Sequence, residues 1–208
     1  MANGSRRYPI PAQRFRCEIE VERSRFIATV QAVATAEEAQ SFIAGIKAEF
    51  ADANHNCWAY LVGPPGSTDR IGLSDDGEPH GVAGKPMLTT LQHAGLGDTA
   101  VVVSRYFGGI KLGKGGMVKA YTAAVQAALT KLPRTERIAW AHLELCFDYS
   151  LLAPLQQRLS DFEGEELASS YAERVTLELR LPQEQQTGFA AMFRDLTAGR
   201  GELKKAAD

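Results

Sequence analysis

Alternating apolar and polar residues near the start of the chain predict a pair of strands. Phe15–Glu22 and Arg25–Ala32 both show this period of two, which is typical of a half-buried β-hairpin. A capping box at Thr35–Glu38 then opens a helix whose apolar residues share one face. Two further apolar runs, Cys57–Val62 and Thr99–Val103, indicate short strands, and the β-branched residues of the second predict that it is buried.

The pattern changes near residue 134 and predicts a second, smaller unit. A long amphipathic helix ends near Pro133, and the chain then shows six further elements. They are the strand Arg137–Asp148, the helix Leu151–Leu159, the strands Glu166–Ala172 and Arg174–Leu181, a helix opened by Pro182, and a strand in Gly201–Lys204. The order β-α-β-β-α-β is the ferredoxin-like arrangement. We therefore predict an α+β protein with domains at 1–134 and 135–208.

Composition limits the class of protein. The chain has 208 residues, of which 45% are hydrophobic and 23% charged, which is ordinary for a globular protein. No apolar run approaches the ~20 residues that a membrane span needs, and the N-terminal sequence shows no signal-peptide core. Cys17, Cys57 and Cys146 are scattered, which favours a reducing compartment over a disulfide framework. We expect a cytoplasmic protein with no membrane partner.

Charge is distributed unevenly, although the formal net charge is only −2. Residues 1–135 hold 15 Lys and Arg against 12 Asp and Glu, whereas residues 136–208 hold 8 against 13. The change of sign agrees with two structural units and leaves the excess of cations in the first.

A glycine-rich segment, Ser104–Tyr121, lies between the predicted buried strand and the long helix. Its Gly108-x-x-x-x-Gly113-Lys114 pattern fits the opening of a P-loop. Gly115, however, stands where a P-loop has the Ser or Thr that holds Mg²⁺. A nucleoside-triphosphatase is therefore poorly supported.

Two interpretations of this segment stay open. In the first it is only a strand-to-helix corner, whose glycines permit positive φ and tight packing. In the second it faces an anion, because Gly115 and Gly116 expose N–H groups at the helix start and cations lie nearby. Those cations are Arg105, Lys111, Lys114 and Lys119. Such a surface suits a nucleic-acid backbone, and Tyr106 and Phe107 could stack on bases if exposed.

A second candidate site is the acidic segment Ser74–Gly81. Its three carboxylates and a histidine could bind a divalent cation or supply an acid/base pair. These candidates are Asp75, Asp76, Glu78 and His80. The simpler interpretation is a solvated acidic turn, since Asp-Gly and Glu-Pro are turn dipeptides.

The third candidate is the pair His55 and Cys57. They could act as base and nucleophile, or form a partial metal site with His80. A cysteine that starts an apolar strand is more often an ordinary core residue.

Three long segments carry a resemblance to a known family. HNCWAYLVG, SDDGEPHGVAGKPML and VVVSRYFGGIKLGKGGMVKAY, in this order, resemble the IMPACT family, specifically its bacterial YigZ-like branch. The resemblance is strong over about residues 15–135, and the C-terminal unit matches the second domain of that branch in position and type. Val82 and Ser104 depart from the family pattern, in which threonine is more frequent at these places.

The resemblance implies a fold and a field of activity. The N-terminal domain should be similar to the second domain of ribosomal protein S5 and to a translocation-factor domain, and the C-terminal domain to another translocation-factor domain. Eukaryotic relatives regulate translation under amino-acid starvation by competing for an activator of a kinase. Bacterial members are suspected to bind nucleic acid or the ribosome, and no catalytic residue carries over.

We therefore predict a non-enzymatic cytoplasmic protein that binds RNA or the ribosome and regulates translation under stress, without a cofactor or metal. A protein of the translation apparatus is a further possible partner. The predicted contacts to nucleic acid are Arg105, Tyr106, Phe107, Lys111, Lys114, Gly115, Gly116 and Lys119. Two alternatives stay open, namely a metal-dependent hydrolase built on the acidic segment and a protein-interaction module that binds no nucleic acid.

Overall fold

The computed structural model describes residues 7–206 of the chain. They form two compact units that divide between Arg137 and Ile138. Both units combine helices with antiparallel sheets, so the predicted α+β class is confirmed. Within residues 7–206, no helix is long and apolar enough to cross a membrane.

From residue 7 onward, the first unit contains three helices and two sheets. Its strands are β1 (Arg7–Pro11), β2 (Phe15–Val21), β3 (Ser24–Ala32), β4 (His55–Val62), β5 (Arg70–Ser74), β6 (Thr99–Tyr106) and β7 (Arg134–Ile138), the last of which reaches the division. Its helices are α1 (Ala36–Glu49), α2 (Gly84–His93) and α3 (Gly113–Lys131). The main sheet has the order β2-β3-β6-β4-β5, and β1 pairs with β7 separately.

Helices cover both faces of the main sheet. Val101 and Val103 of β6 point into a core shared with α2 and α3, whereas Ala100 and Val102 point into a second core with α1. This alternation follows from the period of two in a strand. It explains why β6 is apolar at successive positions, since both of its sides are buried.

Local sequence signals set the start of α1. Thr35 is its N-cap, and the hydroxyl oxygen of Thr35 accepts a hydrogen bond from the Glu38 N–H at 3.1 Å. The Glu38 carboxylate in turn accepts a bond from the Ala34 N–H at 2.8 Å. The predicted capping box therefore forms, with the carboxylate reaching one residue before the cap.

The second unit has the predicted element order β-α-β-β-α-β. The elements are β8 (Trp140–Phe147), α4 (Leu152–Leu159), β9 (Glu165–Tyr171), β10 (Val175–Pro182), α5 (Gln186–Leu196) and β11 (Glu202–Lys205). The sheet has the order β11-β8-β10-β9. One face of this sheet carries the leucines of β8 and β10 and packs with Phe189 and Phe193 of α5.

Three sequence predictions differ from the structure. Strands β1 and β5 were not predicted, because β1 contains two prolines and β5 exposes its apolar Ile71 and Leu73. The predicted strand from Arg137 is two strands, β7 and β8. Pro182 is the last residue of β10, with an extended ψ of 135°, and also caps a short 3-10 helix, Gln183–Gln185, so α5 itself begins only at Gln186.

The glycine-rich segment is fixed against the β2–β3 turn. Glu22 and Arg23 in that turn have positive φ. The Gly108 N–H donates to the Ser24 hydroxyl at 3.1 Å. A Cβ at Gly108 would lie 2.0 Å from the carbonyl carbon and oxygen of Arg23. Only a residue without a side chain fits here.

Two glycine-to-alanine substitutions in this segment should have opposite effects on stability. Gly108→Ala forces the backbone away from Arg23 and should lower the free energy of unfolding by about 1–3 kcal/mol. Gly115 lies inside α3 with open space around its Cβ position and without positive φ. Gly115→Ala should raise the free energy of unfolding by about 0.5 kcal/mol. Urea denaturation of both variants measures this, and a Gly108→Ala protein as stable as the wild type would contradict it.

Candidate functional site

A cavity of about 460 Å³ lies beside the start of α3. Its size is within the range of small-ligand pockets. Residues from β4, the acidic segment, β6 and the glycine-rich segment meet in its wall. The lining consists of Asn54, His55, Glu78, Pro79, Arg105, Phe107, Lys111, Leu112, Gly113, Lys114 and Met117.

A buried ion pair forms part of the wall. An Nη atom of Arg105 lies 2.5 Å from Glu78 Oε1, and both side chains are almost fully buried. The Tyr121 hydroxyl donates to the same carboxylate oxygen at 2.8 Å. The guanidinium carbon of Arg105 lies 5.5 Å from the ring centre of Phe26 and 5.7 Å from that of Phe107. These contacts hold the guanidinium in one place.

One polar atom of this pair is left without a partner. Among residues 7–206, the buried Nε of Arg105 has no hydrogen-bond acceptor. A buried donor of this kind costs about 1–3 kcal/mol when nothing accepts from it.

The side chain of His55 is oriented by a contact with the acidic segment. Its Nδ1 lies 2.8 Å from the Asp76 carbonyl oxygen, and a carbonyl only accepts, so Nδ1 carries the proton. Its Nε2 lies 3.9 Å from Glu78 Oε2. The imidazole therefore lies close to the Glu78 carboxylate of the ion pair.

The acidic segment is built into the fold and is not a solvated turn. Asp75 accepts hydrogen bonds from the N–H groups of Gly81, Ala83 and Gly84 at 2.8–3.0 Å, which places its carboxylate at the start of α2. Burial raises the pKa of Asp75, but the three donors outweigh burial and lower it below 3.8.

The Asp76 carboxylate likewise accepts hydrogen bonds, one of them from the backbone of β4. Its carboxylate accepts from Lys47 Nζ at 2.5 Å and from the Asn56 N–H at 2.7 Å. Burial raises the pKa of Asp76, and the hydrogen bond from Lys47 followed by that from Asn56 outweighs it, so the pKa is lowered. With Glu78 only 8% exposed, all three carboxylates of the segment have structural partners.

The cavity receives the N-terminal end of α3. Leu112 is the N-cap and supplies no side-chain hydrogen bond, and the first turn of α3, which the structure describes in full, contains no Asp or Glu. Since α3 begins at Gly113, the unpaired N–H groups are those of residues 112–115. Gly116, which was predicted to expose its N–H, is the fourth residue of α3, where the N–H has the Leu112 carbonyl as its helical partner.

The predicted cations do not all lie in one place. Lys111 and Lys114 are exposed at the cavity. Arg105, predicted as a surface contact, is only 6% exposed and forms the wall instead. Lys119 lines a different cavity, near the β2–β3 turn.

The two aromatic residues that follow Arg105 have different environments. Phe107 is 47% exposed and lines the cavity. The Tyr106 hydroxyl donates to Asp52 at 2.7 Å, and the Arg25 guanidinium lies 5.4 Å from its ring centre. Phe107 therefore has a ring open to a ligand, whereas Tyr106 is occupied by protein contacts.

The described part of the chain has neither the geometry of a metal site nor that of a cysteine nucleophile. Residues 7–206 contain no group of three His, Cys, Asp or Glu arranged for a metal ion. His80 is fully exposed, and its Nδ1 lies 3.8 Å from Asp75. Cys57 is completely buried, with its sulfur 3.0 Å from the Asp75 carbonyl oxygen and 3.3 Å from the Tyr121 hydroxyl. Burial raises the pKa of the Cys57 thiol to about 12, which disfavours a thiolate nucleophile.

Sequence reasoning missed Asn54 and Tyr121 and did not pair Glu78 with Arg105. Asn54 Oδ1 accepts from the Phe107 N–H at 2.7 Å and so fixes the segment that follows β6. Tyr121 lies in the core on the apolar face of α3, and the sequence predicts no partner for its hydroxyl. The available signal was that Tyr121 and Arg105 fall in or beside apolar runs, where a polar group needs a partner. Glu78 lies in a polar turn sequence and gave no such signal.

Comparison with known proteins gives the same division of the chain. Residues 22–129 match the family model of the Impact N-terminal domain, and residues 145–200 match a domain of unknown function, DUF1949. The chain is 37% identical to the IMPACT family member YigZ of Escherichia coli (strain K12), over 93% of this chain and 95% of that protein. It is also 37% identical to YvyE of Bacillus subtilis (strain 168), over 90% and 86% of the two chains.

A solved structure supports this similarity. The crystal structure of an hypothetical protein matches with a TM-score of 0.67 at 36% identity, over 97% of this chain and 98% of that chain.

The role of Asp75 predicts a pH-dependent loss of stability. Its pKa is lowered in the folded state, so its contribution is present above the unfolded pKa and is lost as the pH falls through the folded pKa. At about pH 7, Asp75→Ala should lower the free energy of unfolding by about 1–3 kcal/mol. The difference in unfolding free energy between Asp75→Ala and the wild type should narrow as the pH falls below about 4, the ordinary pKa of an aspartate.

The control is Asp69→Ala, because Asp69 is an exposed residue of the same charge. It should change the free energy of unfolding by less than about 0.5 kcal/mol, both at about pH 7 and in acid. Denaturant titrations of the two variants at about pH 7 and in acid measure these differences. A pH-independent deficit of Asp75→Ala would mean that the carboxylate charge does not matter.

Cys57 should resist thiol reagents in the native protein. At about pH 8, a pKa of about 12 leaves roughly one thiolate in ten thousand, and burial blocks access as well. Cys17 and Cys146 are partly exposed and should react first. Mass spectrometry after timed labelling assigns each cysteine, and rapid labelling of Cys57 in folded protein would restore the nucleophile interpretation.

Proposed function

This chain belongs to the IMPACT family, as its motifs predicted, and from that membership we propose that it is a non-enzymatic RNA-binding protein of the translation apparatus. The RNA is free or part of the ribosome. Lys111 and Lys114 contact phosphates, and binding contributes to the regulation of translation under stress.

One observation carries the proposal, namely the charge of the cavity at the start of α3. Its wall contains three cations, Arg105, Lys111 and Lys114, against the single carboxylate of Glu78. The positive end of the 19-residue helix α3 adds to this field. Phosphates of a nucleic-acid backbone are the ligands that such a surface attracts.

Phe107 supports RNA over a simple polyanion. Its half-exposed ring stands beside the cations, where an unpaired base can stack on it. Stacking on an aromatic side chain is typical of single-stranded RNA sites and tolerates any base. We therefore propose little sequence preference.

We also propose the finer fold relationships that the family resemblance implies. The strand order β11-β8-β10-β9 and the element order β-α-β-β-α-β support a ferredoxin-like second domain. For the first domain we propose similarity to the second domain of ribosomal protein S5. We propose a domain boundary near residue 134, a few residues before the division between Arg137 and Ile138.

The hydrolase alternative has less support. Its acidic candidates Asp75, Asp76 and Glu78 are already bound to backbone N–H groups, Lys47, Tyr121 and Arg105. A reaction centre would have to break contacts that position α2 and β4.

Removing either lysine should weaken RNA binding uniformly. Lys111→Ala and Lys114→Ala should each reduce affinity for single-stranded RNA without changing sequence preference, because phosphate contacts position and do not specify. Each should also flatten the plot of log affinity against log salt by roughly 0.7. Fluorescence anisotropy at several salt concentrations, with ribosome cosedimentation alongside, measures both quantities.

Lys131→Ala is the matched control. Lys131 is exposed at the opposite end of α3, about 27 Å away by the helical rise. Its removal should leave the salt slope unchanged. If both cavity lysines can be removed with no change in affinity or slope, the segment is only a corner and the RNA surface is elsewhere.

A further inference from the structure

We propose that the cavity beside α3 is a pocket for a phosphomonoester, so that the chain recognises the phosphorylated end of an RNA strand. This rests on the proposed RNA-binding function and assigns its ligand group. The same chemistry occurs in a free mononucleotide, which the experiment below distinguishes from an RNA end.

The unpartnered Nε of Arg105 is the first reason. Arg105 is 6% exposed and lines the cavity, yet its Nε has no acceptor among residues 7–206. Its Nη is occupied by Glu78 at 2.5 Å. The side chain that carries this unpaired donor lines the cavity, and the N–H donors of an Arg guanidinium are well suited to phosphate.

The start of α3 is the second reason, and it is independent of the first. Leu112 and Gly113, whose N–H groups lack helical partners, line the same cavity as Arg105. No side chain among residues 7–206 caps this end of the helix, and open space surrounds the position where a Cβ of residue 113 would lie. A phosphate at a helix N-terminus satisfies these donors.

The number of donors favours a terminal phosphate over an internal one. The cavity lining includes three kinds of donor: the guanidinium of Arg105, the N–H groups that open α3, and the ammonium groups of Lys111 and Lys114. A phosphomonoester has three terminal oxygens and nearly two negative charges at pH 7. An internal phosphodiester offers two oxygens and one charge, and its chain must leave in both directions.

The carboxylate of Glu78 repels a phosphate less than a free carboxylate would, because its charge is compensated. Its Oε1 accepts from both Arg105 and Tyr121, at 2.5 Å and 2.8 Å. Its other oxygen faces His55 Nε2 at 3.9 Å. The carboxylate is thus compensated within the wall, while Lys111 and Lys114 remain exposed and add positive charge.

Phe107 indicates how the rest of the ligand lies. Its ring is 47% exposed at the cavity, and its backbone N–H is held by Asn54 Oδ1 at 2.7 Å. The terminal base can stack on this fixed ring while its phosphate occupies the pocket.

The test compares RNA oligonucleotides of one sequence that differ only at their ends. One has a 5′-phosphate, one a 3′-phosphate and one hydroxyls at both ends, and adenosine monophosphate and inorganic phosphate are the small probes. Wild-type protein should bind one of the phosphorylated RNAs about tenfold or more tightly than the hydroxyl form, as one charge-assisted contact set provides. Inorganic phosphate should compete away this preference at concentrations that leave hydroxyl-ended RNA bound.

Arg105→Lys locates the effect. Lysine keeps a cation for Glu78 but lacks the Nε–H, so the end preference should fall to about one while Lys131→Ala retains it. Urea denaturation checks that Arg105→Lys is folded. The wild-type comparison and the phosphate competition stand without any variant.

Each outcome separates this inference from the proposed function. Equal binding of all three RNAs, with the lysine dependence intact, overturns the phosphomonoester pocket and leaves RNA binding in place. A preference that Arg105→Lys does not change overturns the assignment to this cavity. Binding of adenosine monophosphate without RNA supports the pocket and overturns RNA as the ligand. Absence of binding to every probe overturns both.

Discussion

The packing of the first unit around the cavity depends on the buried ion pair between Glu78 and Arg105. Two charges removed from water are costly, and they persist only when each has further partners. Glu78 has Tyr121 from α3, and Arg105 lies between the rings of Phe26 and Phe107. The pair therefore joins the acidic segment, two strands of the main sheet and the longest helix. Replacing one partner alone would leave an uncompensated charge in the core.

The same contacts divide the charged residues into two classes. The carboxylates of the acidic segment are directed inward, where they order α2, β4 and α3. Lys47 is paired with Asp76, whereas Lys111 and Lys114 at the cavity remain exposed. A segment that is rich in acids therefore lies beside a surface that is positive, which a count of charges along the sequence does not reveal. Local potential depends on which charges are compensated, not on how many there are.

The sequence predicted what is encoded locally. The β2–β3 hairpin, the Thr35 cap and the position of the glycine-rich segment each follow from residues within one short window. The pair Glu78–Arg105 is separated by 27 residues, and no periodicity links the two positions. The cavity depends on that pairing, so its wall could not be derived from the pattern even though several of its lining residues were singled out. Strand β5 was missed for a different reason, since its apolar residues are exposed and give no burial signal.

The close contact of Gly108 with Arg23 has a kinetic consequence. The segment between β6 and α3 is fastened at Ser24 and at Asn54, so its backbone has little freedom to open or close. A ligand that enters meets a surface already in its final shape and loses little entropy in ordering the protein. Association of the proposed ligand would then need no slow rearrangement and would proceed at a rate set by diffusion and electrostatic steering. Differences in affinity among ligands of equal charge therefore arise in how long each remains bound.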